Sequence, residues 1–196
     1  MKLFSLSLAT SIAFLAATLV SATTHTCDVS KVKVAAGTLP AQTAPTKYIA
    51  YGFGTQNYTC GADGKYASAG ALAQLYDISC SYKAKTGYFI PQKHLGEHYF
   101  LTNPVTGTGI SPKWDFTRAM SNANAFIIGA RQAGIPALTG SSDVDWLYLS
   151  NVQGSLATEV YRTDTRGGQP PASCTPGSAP ITVWYSAIYW LTGGSL

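Results

Sequence analysis

From residue 47 to residue 192 the chain is cut into short runs rich in β-branched and aromatic residues. Gly, Pro, Asn and Ser clusters separate the runs at fairly regular spacing. This punctuation restricts the fold more than any other feature, because turn residues between short strands return the chain on itself. It predicts an all-β, single-domain antiparallel sandwich or barrel. The expected strands lie at 47–60, 72–78, 98–102, 112–117, 125–131, 145–151, 157–164 and 181–192. The 72–78 run also fits one helical face, but its alternation favours a strand. Gly52 and Gly54 in the first run predict a bulge or a close backbone approach. In the last run Val183, Tyr185, Ala187 and Tyr189 alternate with Trp184, Ser186, Ile188 and Trp190, so both faces are apolar. Such a strand is expected to be covered on both sides. No strand–helix alternation accompanies Gly52-Phe53-Gly54 or Gly107-Thr108-Gly109, and neither completes a dinucleotide-binding glycine pattern.

The start of the chain sets its expected address. Lys2 precedes an apolar stretch ending at Val20-Ser21-Ala22, the layout of a secretory leader cleaved after Ala22. That predicts a leader over 1–22, an extended arm over 23–46 pinned at Cys27, and a β domain over 47–196. No membrane insertion is expected once the leader is removed, since 181–191 is about half the length of a spanning helix. The expected location is extracellular or in the cell wall. Cys27, Cys60, Cys80 and Cys174 are an even set in a chain read as secreted, so two disulfides are expected; their spacing leaves three pairings open. Asn57-Tyr58-Thr59 is a glycosylation sequon; its use at Asn57 requires that this residue face solvent, with Gln56 and Tyr58 inward.

Charge excludes one large class of partner. The chain carries 13 Lys plus Arg against 9 Asp plus Glu, with no basic run. Removal of Lys2 with the leader leaves 12 against 9, too mild a surplus for a nucleic-acid binder.

Several landmarks recur together. They are 51–60 (Tyr51-Gly52-Phe53-Gly54-Thr55-Gln56 through Cys60), Leu75-Tyr76-Asp77, Gly96-Glu97-His98-Tyr99-Phe100, Asp145-Trp146-Leu147, 160–171 with Gly167-Gly168 and Pro170-Pro171, Cys174, and Tyr185-Ser186-Ala187-Ile188-Tyr189-Trp190. In this order they resemble an uncharacterised secreted family of fungi and bacteria, the domain of unknown function 3455, over essentially the whole mature chain. The resemblance implies the pairing Cys27–Cys80 with Cys60–Cys174, because Cys60 and Cys174 match the cysteines of the family pattern and fungal members add the two that match Cys27 and Cys80. Arg166 departs from the commoner pattern, as does the Tyr189-Trp190-Leu191 ending. The family carries no established activity. Its fungal members are often labelled malate dehydrogenase, but that chemistry needs a dinucleotide site at a strand–helix turn, and none is present in this sequence.

Candidate site residues follow from side-chain chemistry. His98 beside Tyr99 is a general base or ligand-orienting donor, or else a histidine bonded to a backbone carbonyl. His94 and His98 have helical metal spacing, but Pro91 and Gly96 argue for a loop, and His25 lies in the arm; neither a metal nor a cofactor is expected. Asp77, Glu97, Asp115, Asp143, Asp145, Glu159 and Asp164 are the acids from which a hydrolytic pair would be drawn. Asp143 and Asp145 project to one side if extended, next to Trp146, which suits a sugar ring. Arg162 with the Gly167-Gly168 amides suits an anionic ligand, or Arg162 pairs with Glu159 or Asp164. Trp114, Trp146, Trp184, Trp190 and twelve Tyr supply stacking surface beyond the needs of a small core. The expected ligand-binding residues are therefore His98, Tyr99, Trp114, Trp146 and Arg162. They predict a secreted, non-catalytic binding protein for a carbohydrate, such as a cell-wall polysaccharide, or a small ligand. The alternatives are a hydrolase using His98 or an Asp/Glu pair, and a surface interaction protein.

Overall fold

Alternating side chains with a turn after each run can close a sheet on itself, and here they do. The computed structural model describes residues 27–85 and 93–196. Its eight strands are β1 (Thr46–Cys60), β2 (Tyr66–Asp77), β3 (His94–Thr102), β4 (Ile110–Asp115), β5 (Phe126–Ile135), β6 (Trp146–Gln153), β7 (Glu159–Gly167) and β8 (Ile181–Thr192). Each pairs antiparallel with the next, and β8 returns to β1 in a closed up-and-down barrel, so the open choice between sandwich and barrel resolves as barrel. Closure removes every sheet edge. The predicted leader, and His25 and Pro91 with it, lie outside the described residues. Among the described residues no helix is long and apolar enough to cross a membrane.

Strand boundaries differ from the sequence expectation in a consistent way. β8 starts and ends as expected, whereas β2 begins six residues before the expected 72 and β3 takes in His94. Among the described residues two helices interrupt the strands, α1 (Ser79–Ala84) and α2 (Thr117–Met120). They are too short for helical periodicity to register. Both begin on the same local device: Asp77 accepts the Ser79 amide at 2.9 Å and Asp115 accepts the Thr117 amide at 3.0 Å. Gly54 is the expected close approach, since a Cβ there would meet the Leu72 carbonyl oxygen at 2.0 Å. The bulge falls later, between Asn57 and Tyr58.

The barrel wall carries apolar residues on both faces for much of its circumference. Inward, Ala50, Leu75, Leu95, Trp114, Ile127, Val160, Tyr189 and Leu191 form one buried cluster. Phe116 and Ala125, which flank α2, join Leu156 and Ala157 to close one end of it. Outward, Ile49, Trp146, Tyr161, Ile188 and Trp190 form a second cluster beneath Val29, Ala36 and Leu39 of the arm. The two-faced burial expected of β8 holds from Ala187 onward, with barrel core on one side and arm on the other, whereas Trp184, expected to be covered, is exposed.

Two disulfides hold this arrangement, Cys27–Cys80 and Cys60–Cys174, the pairing that the family resemblance implies. The first ties the arm to α1; the second ties the end of β1 to the loop before β8. Paired cysteines suit an oxidising compartment. The arm is also held by Glu159, a buried carboxylate that accepts from the Thr43 hydroxyl and amide and from the Thr192 hydroxyl.

Candidate functional site at the open end of the barrel

Antiparallel closure gives the barrel two ends, and the sequence treats them differently. The β2–β3 and β4–β5 connections carry α1 and α2, and Phe116 seals that end. At the other end, the β1–β2, β3–β4, β5–β6 and β7–β8 connections surround a cavity of about 570 Å³. That volume lies within the usual range for a small-molecule pocket. Eight strands give an interior that side chains either fill or leave open for one small ligand.

Inward-facing residues of the outer half build the walls. Phe100, Ile110, Pro112, Leu147 and Leu149 supply apolar surface. Gln56, Tyr58, Asn103, Arg131, Asp145, Arg162 and Gln169 supply polar groups. Tyr58 donates its hydroxyl to the Gly168 carbonyl at 2.7 Å, which spans the mouth from β1 to the β7–β8 loop. Gln56 and Tyr58 do face inward, as alternation around the sequon predicts, and both are buried. The Gln56 side-chain nitrogen has no hydrogen-bond partner among the described residues, a costly state for a buried donor.

Farther in, the cavity narrows to a gap of about 20 Å³ bounded by His98, Trp114, Tyr189 and Arg162. His98 is fully buried and stacks on Trp114, with ring centroids 4.4 Å apart. Its Nδ1 donates to the Lys113 carbonyl at 3.0 Å, so in the neutral ring Nε2 is the unprotonated nitrogen. Burial holds this imidazole down at about 3, outweighing the Lys113 hydrogen bond, and the Arg162 charge depresses it further. His98 is therefore neutral at ordinary pH. The Tyr185 and Tyr189 hydroxyls bond each other at 2.8 Å, and both rings are buried at this level. Gly52 makes room for Tyr189, since a Cβ there would lie 2.5 Å from that ring.

Arg162 connects the two spaces, lining both the cavity and the inner gap. It donates from Nε and Nη2 to the Asp145 carbonyl at 3.0 and 2.8 Å. Neither expected partner, Glu159 or Asp164, reaches it. Glu159 holds the arm, and Asp164 accepts from the Thr163 hydroxyl. The Gly167 amide, expected to help Arg162 hold an anion, is already taken by the Asp143 carboxylate at 2.6 Å.

Of the five residues expected to bind ligand, the structure gathers His98, Trp114 and Arg162 around the inner cavity. Tyr99 and Trp146 lie on outward-facing sides of their strands. Tyr99 donates to Asp115 at 2.9 Å, and that carboxylate also binds Lys113 at 2.7 Å. Burial works to raise Asp115, but hydrogen bonds from Lys113, Thr117 and Tyr99 hold it at about 2. Trp146 is covered by the arm, a second layer that strand periodicity does not reveal. The acids are dispersed: Asp77 and Asp115 start helices, Glu97 accepts from Gln74, and Asp145 faces Arg131 at the rim. Among the described residues no group of three or more metal-ligating side chains converges.

Ring surface does reach solvent at Trp184, which the sequence offers as a stacking ring but not as one of the five ligand-binding residues. Phe53 and Trp184 stack nearly parallel on the outside of β1 and β8, centroids 5.2 Å apart, with Trp184 65% exposed. Leu72 on β2 is also exposed and lies across Thr55 from Trp184 in the strand register. The alternation of β8 already put Trp184 opposite Tyr185; what it did not disclose was where the arm ends.

Residues 40–193 match the family described as a protein of unknown function, DUF3455, and the chain belongs to that family. No curated protein and no solved structure matches it.

Proposed function

We propose that this member of the DUF3455 family is a secreted binding protein that holds a small ligand in the open end of its barrel. The observation that carries the reading is the 570 Å³ cavity: apolar along Phe100, Pro112, Leu147 and Leu149, with polar side chains at Gln56 and Arg162. Small-molecule sites have this composition, an apolar wall with a few fixed polar groups. Secretion is supported by the leader pattern at residues 1–22 and by four cysteines that all pair. The test is a titration with N-phenyl-1-naphthylamine, a neutral dye that brightens in apolar sites. Saturable binding of one dye per chain is expected, weakened at least about tenfold by Leu147→Trp, which narrows the cavity. Dye binding that Leu147→Trp leaves unchanged in a folded protein places the dye elsewhere and defeats the reading.

A second reading rests on the Phe53–Trp184 pair. A flat, exposed aromatic surface suits the face of a sugar ring, and so favours attachment to an insoluble polysaccharide. Co-sedimentation with chitin, β-glucan and cellulose in high salt is expected to show retention that Trp184→Ala abolishes. Retention that survives this change, or no retention at all, removes the reading.

A further inference from the structure

We propose that the ligand of the barrel cavity is an amphipathic anion whose acidic head group is seated on Arg162 and whose apolar body lies along Phe100, Leu147 and Leu149. The inference deepens the cavity reading and rests on it.

The first argument is the charge balance of the cavity. Its charged lining residues are Arg131, Asp145 and Arg162, two positive and one negative. Asp145 directs its carboxylate to Arg131 at 3.6 Å, and both of these side chains are substantially exposed at the rim. Arg162 stands apart, half-buried, with no carboxylate within ion-pair distance among the described residues. All nine acids of the chain lie among those residues. A guanidinium drawn from water without a counter-charge is a costly arrangement, and a bound anion relieves it.

The second argument is how Arg162 is held. The Asp145 carbonyl takes Nε and Nη2 and fixes the plane of the guanidinium while contributing no negative charge. A neutral anchor positions the fork and leaves its positive charge for something else. The charge reaches its surroundings: it depresses His98 and opposes the effect of burial on Tyr58, Tyr185 and Tyr189.

The third argument is what surrounds the guanidinium. Leu147, Leu149, Phe100 and Pro112 border both the cavity and the inner gap alongside Arg162. A small hydrophilic anion would leave these surfaces wet, whereas an amphiphile covers them and reaches the cation with one end.

A matched pair of probes tests this. 1-Anilinonaphthalene-8-sulfonate has the same aromatic body as N-phenyl-1-naphthylamine and adds one sulfonate. The expected result is at least tenfold tighter binding of the sulfonate by the parent protein. That preference should fall to within about twofold in Arg162→Gln and persist in Arg162→Lys, which keeps the charge without the fork. Trp184→Ala should change neither affinity; if it removes the sulfonate preference, the outer patch holds the dye and the proposal falls. Equal binding of both dyes by the parent, weakened by Leu147→Trp, overturns the anion and leaves the cavity reading intact. A sulfonate preference that survives in folded Arg162→Gln also overturns it. Binding of neither dye defeats both readings. Should Arg162→Gln not fold, equal binding of the two dyes by the parent still overturns the anion, and a sulfonate preference that Arg131→Gln removes overturns its assignment to Arg162.

Discussion

Lowering the pH should destabilise this protein through one identifiable residue. His98 in a solvated chain titrates near 6.5, but burial against Trp114 and Tyr189 holds it at about 3 in the folded state. Below 6.5 the unfolded chain therefore takes up a proton that the folded barrel refuses. Stability from this source is full above pH 6.5 and is lost progressively as the pH falls toward 3. The 2.5 pH units between 6.5 and 4, at about 1.4 kcal/mol each, amount to roughly 3 kcal/mol. That is a large share of a typical domain's stability of about 5–15 kcal/mol. His98→Asn separates this contribution from other acid effects. The amide can still donate to the Lys113 carbonyl, and although the variant loses ring stacking, that cost is the same at every pH. Urea unfolding followed by tryptophan fluorescence at pH 7 and pH 4, with the disulfides intact, gives both values. The parent midpoint should fall by roughly 1.5 M more than that of His98→Asn, taking a slope of about 2 kcal/mol per M. Asp115, held at about 2, also loses stabilisation as acid protonates it, but equally in both proteins. Equal losses in parent and variant would refute the assignment to His98.

Two further perturbations test how the arm and the seam are held. Glu159→Ala removes the buried acceptor of Thr43 and Thr192 and should cost about 2–4 kcal/mol; trypsin should then cut faster at the exposed Lys31 and Lys33. An unchanged cleavage rate would mean that Cys27–Cys80 and the packing of Val29, Ala36 and Leu39 hold the arm without Glu159. The disulfides enclose separations of 53 and 114 residues, so replacing both cysteines of Cys27–Cys80 by Ser should cost about 4 kcal/mol, and both of Cys60–Cys174 about 5. Urea midpoints for the two double variants are expected in that order, and the reverse order would argue against loop closure as the cause.

Much of the barrel was legible because its strands obey a local rule. The β8 run declared its ends and its two apolar faces, and the inward direction of Gln56 and Tyr58 followed from Asn57 between them. The two helices were harder to read, although Asp77-Ile78-Ser79 and Asp115-Phe116-Thr117 share a pattern that marks each start. The cavity was not legible at all. Whether eight strands stack as two sheets or close into one is decided by the pairing of β1 with β8, whose residues lie more than a hundred positions apart. The β7–β8 pairing already sets Arg162 opposite Tyr189 and the β3–β4 pairing sets His98 opposite Trp114, but only closure brings the two pairs together across the barrel. Trp146 was misjudged for a related reason: its cover is an arm with no periodicity, so an aromatic residue assigned to a binding surface is in fact enclosed.

The seam between β1 and β8 has a consequence for how the chain reaches this state. As the ribosome releases it, β1 to β7 can pair with their neighbours in turn, but β1 must wait for nearly the whole chain before its second partner exists. Until then β1 and β7 are open edges, able to recruit strands from other molecules. Cys60 sits on one margin of that gap, and Cys174 arrives immediately before β8, so oxidation of this pair coincides with the end of the exposed period. Chains halted or clipped before Cys174 lose both the closing strand and its lock, and should be the aggregating species during production.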